Sequence, residues 1–309
     1  MRGFVLAAGF GTRMRPLTDH IPKAMVSVCG RTLLERALRF IHRSGIKEIG
    51  VNAHYLPEQL EAFRKKSAIP FDLFVESGKI RGTGGAFDFA RSFLNCDDAF
   101  FVLNVDIVCN FDLMKAIEIF KKINCVCMLI AFPCEKGKGT ILYDRNSYIY
   151  YGTPSEIEKT TFMEEAAFIG AAIYKKEFLE YVGKEDFSVV PVWKRLTENG
   201  LPVIVNMQLD GFWRDIGNID ALANIHFEYL DKKIDIDVPE NLRIDTKEKY
   251  CIPDNLNKNQ CFSGKYAWVE SNEIMNCTIN RSIIWSGMQI SNKDITNSII
   301  TPFGALMIS

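Results

Sequence analysis

Residues 3–18 read Gly-Phe-Val-Leu-Ala-Ala-Gly-Phe-Gly-Thr-Arg-Met-Arg-Pro-Leu-Thr, and Pro22-Lys23 follows shortly after. The run from Phe4 to Leu6 is apolar without alternation, which is typical of a buried parallel strand. Small residues follow at the point where that strand would end. Gly9 and Gly11 allow a tight turn that brings backbone N–H groups close to a ligand. The stretch therefore predicts a strand followed by a glycine-rich binding loop.

Positive charge follows the glycines of this loop. Arg13, Arg15 and Lys23 lie within a few residues of one another, and Asp19 is the only acidic residue among them. The pattern is not a Walker loop, because no Gly-Lys-Ser/Thr follows, and Met14 occupies the place of the third glycine in G-x-G-x-x-G. Small residues, backbone amides and fixed positive charge together indicate a site for a polyphosphate.

Length and composition limit the class of protein. The chain has 309 residues, a net charge of −1 and 24% charged residues. This length suits one large α/β domain with a smaller addition. A balanced charge gives no reason to expect binding to nucleic acid or to a membrane surface. No apolar run approaches the roughly 20 residues of a membrane-spanning helix, and no signal-peptide pattern is visible.

The nine cysteines show no zinc or disulfide spacing. Cys125 and Cys127 share one face of an apolar strand, which favours buried free thiols in a reducing compartment. We therefore expect a soluble, cytoplasmic protein.

Strand and helix signals alternate through the first half of the chain. Thr32 and Glu35 can form a capping box at the start of a helix, and Pro57 can begin the next helix. Apolar strands are expected at residues 46–51, 71–75, 100–103 and 125–131. This order predicts an α/β fold with a Rossmann-like open sheet, mostly parallel, and helices on both faces.

Two further segments lie where ligands of open α/β sheets bind. Residues 81–86, Arg-Gly-Thr-Gly-Gly-Ala, open a helix whose amides and dipole could meet a ligand, although a close-packed turn is the alternative. Asp106 follows a strongly apolar strand and so lies at the carboxyl edge of the sheet. Asp112 already suits the N-cap of the next helix, so Asp106 has no evident structural role.

The final third of the chain changes character. Residues 231–250 carry alternating charges and read as a connector between a domain at 1–230 and a segment at 251–309. Residues 279–284 recur as 295–300, an offset that suggests coils of a parallel β-helix, with an irregular β tail as the alternative. One or two coils cannot bury a core alone, so we expect this segment to brace the main domain or join subunits without reaching the cleft of that domain.

The pattern at residues 6–23 closely resembles the signature loop of sugar-1-phosphate nucleotidyltransferases. Residues 82–86, the Asn104-Val105-Asp106 segment and Phe168 to Tyr174 resemble further segments of that family, as does Trp213-Arg214-Asp215-Ile216-Gly217. Two positions depart from it. Val105 stands where the family has glycine, and the family's Glu-Lys-Pro is matched only by Glu158-Lys159-Thr160.

The resemblance implies a role for each matched residue. Arg13 and Lys23 would be catalytic, Asn104 and Gly170 would contact the sugar, and Asp106 and Asp215 would hold Mg²⁺. The nucleotide would be bound by Leu6, Ala7, Ala8, Gly9, Gly11, Thr12, Gly82, Thr83 and Gly84. A short left-handed parallel β-helix ends many family members, which agrees with the repeat at the end of this chain.

The implied reaction joins a nucleoside triphosphate to a sugar 1-phosphate and releases pyrophosphate. GTP with mannose 1-phosphate is the expected pair, and a uridylyltransferase for an N-acetylated hexosamine 1-phosphate is the alternative. A non-catalytic regulatory subunit of the same fold and a phosphocholine cytidylyltransferase are further possibilities. We expect a homo-oligomer that binds neither nucleic acid nor membrane.

Overall fold

The computed structural model describes residues 1–156, 160–257 and 262–309. Its α-helices are α1 (Leu33–Arg43), α2 (Pro57–Arg64), α3 (Gly82–Phe89), α4 (Arg91–Leu94), α5 (Leu113–Lys122), α6 (Val190–Glu198) and α7 (Ile219–Leu230). Within the described residues, no helix is both long enough and apolar enough to cross a membrane.

The strands of the first two thirds of the chain are β1 (Arg2–Leu6), β2 (Ser27–Val28), β3 (Arg31–Thr32), β4 (Ile49–Ala53), β5 (Asp72–Val75), β6 (Ala99–Asn104), β7 (Ile107–Cys109), β8 (Cys127–Phe132), β9 (Ile141–Asp144), β10 (Tyr150–Gly152), β11 (Met163–Lys175) and β12 (Val203–Met207). The remaining strands are β13 (Trp213–Asp215), β14 (Leu242–Asp245), β15 (Tyr250–Pro253), β16 (Phe262–Ser263), β17 (Ala267–Val269), β18 (Glu273–Met275), β19 (Cys277–Asn280), β20 (Ser282–Ile284), β21 (Gln289–Ser291), β22 (Asp294–Thr296), β23 (Ser298–Thr301) and β24 (Gly304–Met307).

The chain divides into two compact units, each made of two segments. Unit 1 contains Met1–Phe10 and Leu34–Trp213, and unit 2 contains Gly11–Leu33 and Arg214–Ser309. This division differs from the predicted boundaries at residues 230 and 250, because the loop at 11–33 groups with the last third of the chain. The predicted catalytic domain and connector stay predictions.

Unit 1 is built on one nine-stranded sheet with the order β10-β9-β11-β6-β1-β4-β5, and β8 and β12 continue from β11. Strands β6, β1, β4 and β5 run parallel. Strand β11 runs antiparallel to both β6 and β8. The predicted α/β class with a parallel-rich central sheet is confirmed.

Aromatic side chains dominate the core of unit 1. Phe4, Phe87, Phe100, Tyr174 and Trp193 are almost completely inaccessible to solvent. Fully burying a side chain such as Phe stabilises the fold by roughly 1.5–3 kcal/mol, so this cluster stabilises the packing around β1 and β6.

The predicted thiol pair also lies in this sheet region. Cys125 and Cys127 are buried and free, as predicted. Burial raises the pKa of the Cys127 thiol well above its usual value, which keeps it protonated and unreactive.

Local signals located several elements correctly. Asp112 caps α5 by accepting a hydrogen bond from the backbone N–H of Lys115 at 2.9 Å, as predicted. The helix predicted to open at residues 81–86 is α3, which begins at Gly82, and α4 follows it after Ala90. Thr32 lies in β3, and α1 begins one residue later.

In unit 2 the predicted repeat pairs with itself in register. Ile279 pairs with Ile295 in the parallel ladder of β19 and β22, and Ile283 pairs with Ile299 in that of β20 and β23. A third parallel ladder joins β18 to β21. These four isoleucines are buried, so the 16-residue offset stacks apolar residues on one another.

Candidate active site

The first part of the predicted binding loop belongs to unit 1. Ala7 and Ala8 are buried at the end of β1, whereas Gly9 is exposed. A Cβ atom added to Gly9 would meet no other atom within 4 Å. The packing of the protein therefore does not require glycine here, and the space beside it is open to a ligand. Leu6, at the end of β1, is half-buried.

The second part of the loop belongs to unit 2 and is tightly closed. Gly11 has a φ of 63°, a left-handed conformation that favours glycine. A Cβ atom at this position would lie 3.0 Å from Thr18 Cγ2 and 3.1 Å from Lys23 Cβ. The hydroxyl of Thr18 donates a hydrogen bond to the Gly11 carbonyl at 2.8 Å. Gly11 therefore fixes the loop beside the buried stem of Lys23.

Arg13 and Asp215, which are far apart in sequence, form an ion pair in unit 2. Arg13 Nη2 lies 3.9 Å from Asp215 Oδ2, and both side chains are substantially exposed. A Cβ atom at Gly217 would lie 2.7 Å from Arg13 Nη2 and 3.0 Å from Asp215 Oδ1. Only a residue without a side chain therefore leaves room for the guanidinium in this position. Thr12 and Arg13 lie in a one-turn 3₁₀ helix that begins directly after Gly11.

The glycines at the start of α3 have an internal packing role. A Cβ atom at Gly82 would lie 2.1 Å from the carbonyl oxygen of Phe187, and one at Gly84 would lie 2.4 Å from that of Asp186. The Gly84 N–H donates to the Phe187 carbonyl at 3.2 Å, and Thr83 Oγ1 accepts a hydrogen bond from Val189 N–H at 3.0 Å. These contacts explain the residue types without a ligand, so nucleotide binding by Gly82, Thr83 and Gly84 stays a prediction.

Asn104 and Gly170, the predicted sugar-binding residues, lie against each other in unit 1. Gly170 sits where the register of β11 shifts, and its φ is 74°. A Cβ atom there would lie 2.5 Å from Asn104 Nδ2. Gly170 therefore leaves space for the Asn104 amide at the end of β6, and contact of these residues with a sugar stays a prediction.

Asp106 lies in the turn between β6 and β7 and is half-buried. The preceding Val105 donates its N–H to the Leu6 carbonyl at 3.0 Å. Val105 is not among the described residues with positive φ. The family's glycine is therefore not needed for the backbone conformation at this turn, and valine holds it against the end of β1.

Glu158 and Lys159, the weak counterpart of the family's Glu-Lys-Pro, lie outside the described residues. Elsewhere in the described chain, no group of three or more His, Cys, Asp or Glu residues could hold a metal ion. A Mg²⁺ ion that shares phosphate oxygens needs only one or two protein carboxylates. Asp106, in the turn after β6, and Asp215, the last residue of β13, each carry a carboxylate with the chemistry for that role.

Two buried polar residues escaped the sequence analysis. Asn52 accepts a hydrogen bond from the Ala7 N–H at 2.7 Å, and Glu76 accepts one from the Arg81 N–H at 3.0 Å. Asn52 lies near the carboxyl end of β4 and Glu76 directly follows β5. The rule that drew attention to Asp106, a polar residue at the end of an apolar strand, could also have found these two.

The fold is that of an α/β protein with a parallel-rich central sheet, and comparison with known sequences identifies its family. A family model described as nucleotidyl transferase matches residues 2–232. The chain therefore belongs to the nucleotidyl transferase family, and its resemblance to sugar-1-phosphate nucleotidyltransferases is confirmed.

Individual relatives are distant. Mannose-1-phosphate guanyltransferase 2 of Candida glabrata is 27% identical over 235 residues, which cover 70% of this chain and 61% of the relative. N-acetylmuramate alpha-1-phosphate uridylyltransferase of Caulobacter vibrioides is 27% identical over 232 residues, which cover 70% of this chain and 92% of the relative. The chain thus spans less than two thirds of the length of the first of these relatives.

Solved structures share the fold. HddC from Yersinia pseudotuberculosis complexed with GMP-PN superposes with a TM-score of 0.60 at 22% identity, covering 73% of this chain and 98% of that one. A UDP-glucose pyrophosphorylase complexed with UDP-glucose gives a TM-score of 0.61 at 17% identity, with 75% and 98% coverage.

Proposed function

We propose that this chain transfers a nucleotidyl group from a nucleoside triphosphate to a sugar 1-phosphate and releases pyrophosphate. The observation that carries the proposal is the arrangement of the signature loop in unit 2. Gly217 leaves space for the Arg13 guanidinium beside Asp215, and Gly11 packs on the buried stem of Lys23. The charged residues that this chemistry needs are present and positioned by glycines.

The reaction requires alignment and charge neutralisation rather than a general base. An oxygen of the sugar phosphate, already ionised, attacks the α-phosphorus, and the bond from the α-phosphorus to the bridging oxygen of the β-phosphate breaks. Arg13 would bind the departing β- and γ-phosphates, because its planar fork matches two oxygens at once. Lys23 would place a compact positive charge at the α-phosphate.

Asp106 and Asp215 are the proposed protein ligands of Mg²⁺. The ion, when bound, would neutralise charge on the triphosphate oxygens. The carboxylate oxygens of these residues are ligands of the kind that this hard cation prefers. The proposed role of Asp215 is then twofold, since the same carboxylate also lies beside Arg13.

GTP and mannose 1-phosphate are the proposed substrates, supported by the names of relatives from fungi. A uridylyltransferase acting on an N-acetylated sugar 1-phosphate is the second candidate. It is favoured by the Caulobacter relative, of which this chain covers 92%. The two candidates differ in both nucleobase and sugar, so one substrate panel separates them.

Residues 251–309 are proposed to form a short β-helix-like segment that supports assembly into a homo-oligomer. The proposal is supported by the three sets of parallel ladders and by the in-register repeat. The buried free thiols of Cys125 and Cys127 support the proposed cytoplasmic location.

A pyrophosphate-release assay tests the proposed function. GTP, UTP, dTTP, CTP and ATP are each combined with mannose 1-phosphate, N-acetylated hexosamine 1-phosphates, other sugar 1-phosphates and phosphocholine. Rapid release with GTP and mannose 1-phosphate is expected, and the Arg13→Ala variant should lose it. Preference for UTP or CTP selects another substrate pair. No turnover with any pair, despite bound triphosphate, would favour a non-catalytic subunit.

A further inference from the structure

A buried carboxylate in unit 1 connects two glycine-rich segments of the chain. Glu76 is 3% exposed. Its Oε1 accepts a hydrogen bond from Asn52 Nδ2 at 2.7 Å, and its Oε2 accepts one from the backbone N–H of Arg81 at 3.0 Å. Arg81 is the N-cap residue of α3, so Glu76 contacts the residue directly before Gly82.

Asn52 extends this connection to the end of β1. It is 2% exposed, and its Oδ1 accepts a hydrogen bond from the Ala7 N–H at 2.7 Å. The orientation of the Asn52 amide is fixed by its partners, because the Ala7 N–H can only donate and the Glu76 carboxylate accepts. Strands β1, β4 and β5 are parallel neighbours in the sheet, so the hydrogen-bonded chain runs along their carboxyl ends.

This row of hydrogen bonds begins and ends with a backbone N–H donor. Position 76 therefore needs a side chain that only accepts hydrogen bonds. Ala7 N–H donates to Asn52, Asn52 donates to Glu76, and Arg81 N–H also donates to Glu76. A glutamine at position 76 would have to point its N–H₂ group at a second donor, either the Asn52 N–H₂ group or the Arg81 N–H. One hydrogen bond would then be lost. Burying an ionised carboxylate is unfavourable unless it is hydrogen-bonded, and here each oxygen has a partner.

The backbone beside the carboxylate is also held. The Glu76 N–H donates to the Ala53 carbonyl at 2.7 Å, and a ring nitrogen of His54 lies 3.1 Å from the Glu76 carbonyl oxygen. Both main-chain groups of Glu76 are therefore anchored to β4 and the residue after it, and its side chain transmits that position to Arg81.

We infer that Asn52 and Glu76 are positioning residues that hold the segments 7–9 and 82–86 in one fixed relationship for binding the triphosphate. The inference rests on the proposed function, since it assumes that these segments bind a nucleotide. Neither side chain needs to touch the substrate, because both are buried beneath the backbone that they orient. Their effect is expected on triphosphate affinity, with little effect on the affinity for the sugar phosphate.

The hydrogen-bond directions allow a rescue experiment. In Glu76→Gln, either the Asn52 N–H₂ group or the Arg81 N–H loses the oxygen that accepts its hydrogen bond. In Asn52→Asp, the new carboxylate faces Glu76, which places two negative charges in contact. The double variant Asn52→Asp with Glu76→Gln exchanges the two groups. Its carboxylate at position 52 can accept from the Ala7 N–H and from the amide N–H₂ at position 76, whose carbonyl oxygen can accept from the Arg81 N–H. The double variant thus restores three hydrogen bonds and retains one negative charge.

The measurement is the Kd of GTP and of UTP in the presence of Mg²⁺, at a temperature well below the melting transition, together with KM for both substrates. Glu76→Gln should raise the Kd of the preferred triphosphate by about tenfold, and Asn52→Asp should raise it further. The double variant should return to within about threefold of the parent chain. Glu61→Gln, which changes a partly exposed carboxylate paired with Arg64 in α2, is the control and should change neither Kd nor KM.

The outcomes separate the inference from the proposed function. If the parent chain binds neither triphosphate, both fail. If it binds one and the single variants melt at lower temperature while Kd is unchanged, the two residues serve stability alone and the inference is wrong. Should Glu76→Gln not fold, Asn52→Ser supplies the decisive measurement. Its hydroxyl is too short to bridge both partners, so a Kd equal to that of the parent would likewise overturn the inference.

Discussion

Arg13 Nη2 lies 3.9 Å from Asp215 Oδ2, and both side chains border the space that a Cβ atom on Gly217 would fill. The pair joins the signature loop to the end of β13 across about 200 residues of sequence, within unit 2. Both side chains are exposed, so the pair contributes little to stability. Its value lies in orienting a guanidinium that solvent and substrate can reach.

Replacing Arg13 with Ala should lower kcat by roughly 10²–10³-fold, the scale expected for one group that stabilises charge in the transition state. KM for the triphosphate should rise much less, because the charge is felt mainly as pyrophosphate departs. Steady-state kinetics on purified protein measures both. Arg15→Ala is the control, since Arg15 is an exposed arginine of the same loop paired with Asp19 at 3.0 Å. Normal turnover in Arg13→Ala would show that Arg13 has no catalytic role and that the loop serves the structure alone.

Replacing Gly217 with Ala should displace the Arg13 guanidinium without unfolding the protein. The added Cβ would lie 2.7 Å from a flexible side-chain terminus, which can move away. We expect kcat to fall by about tenfold or more with an unchanged melting temperature. In an Arg13→Ala background the Gly217→Ala substitution should lower kcat no further, because the guanidinium that it displaces is absent. Additive losses in the double variant would show that Gly217 acts independently of Arg13.

Asp106→Asn and Asp215→Asn should each abolish most activity and leave folding intact. Each change keeps the shape of the side chain and removes one charge, so a proposed Mg²⁺ ligand is weakened. Raising the Mg²⁺ concentration should restore little, because the position of the ion matters as well as its occupancy. Turnover is measured against Mg²⁺ beside a thermal melt in EDTA. A large drop in melting temperature would assign the residue a structural role instead.

Asp231 should make the stability of unit 2 sensitive to acid. Its carboxylate accepts hydrogen bonds from Lys249 Nζ at 2.9 Å and from the Tyr266 hydroxyl at 2.8 Å. The hydrogen bond from Lys249 lowers the pKa of Asp231 from its ordinary 3.8 to about 2. Because the folded-state pKa is depressed, this contribution is present at neutral pH and is lost as pH falls from about 4 to about 2.

The Asp231→Asn variant tests this linkage. Its melting temperature should lie below that of the parent at pH 7, and the two curves should approach each other below about pH 4. Asp210→Asn, in an exposed turn, is the control and should follow the parent throughout. A difference between Asp231→Asn and the parent that is constant with pH would contradict the assignment.

The C-terminal segment contacts the chain on both sides of Lys23, at His20 and at Gly30. Glu270 Oε1 accepts hydrogen bonds from Gly30 N–H at 2.9 Å and from the Trp268 indole at 3.0 Å. The Phe303 ring stacks on His20 with centroids 5.0 Å apart. We expected this segment not to reach the catalytic cleft, and that stays a prediction. Its contacts at His20 and Gly30 flank Lys23 within unit 2.

Glu270→Ala should therefore affect activity as well as stability. Removing an acceptor of this kind should lower the free energy of unfolding by about 2 kcal/mol and kcat several-fold. A chain ending near Glu248 should lose more of both. Glu273→Ala, an exposed change in the same segment, is the control. Circular dichroism measures the folded fraction, and turnover per folded molecule then separates the effect on activity from the effect on stability. Unchanged turnover in folded Glu270→Ala would limit the role of the segment to assembly.

Some of these features followed from the sequence alone, because their causes are local. Gly11 adopts the left-handed conformation that a tight turn needs, and Asp112 caps its helix through a neighbour three residues away. The 16-residue repeat was visible in the sequence, and its two copies pair in parallel ladders at that same offset, which places buried isoleucines beside one another. Asp106 was found because polar residues at the ends of buried parallel strands share one edge of the sheet.

Tertiary structure alone decided the contacts between segments that are distant in sequence. Ligand binding by the glycines at 82 and 84 stays a prediction, and the fold adds a second reason for glycine there, because a Cβ atom would meet the backbone at residues 186 and 187. The hydrogen-bonded chain from Ala7 through Asn52 and Glu76 to Arg81 depends on three strands lying side by side. Gly217 became explicable only when Arg13 was seen beside it. Residue type and spacing determine local conformation and burial, whereas the partner of a buried polar group depends on which strands and loops the whole fold brings together.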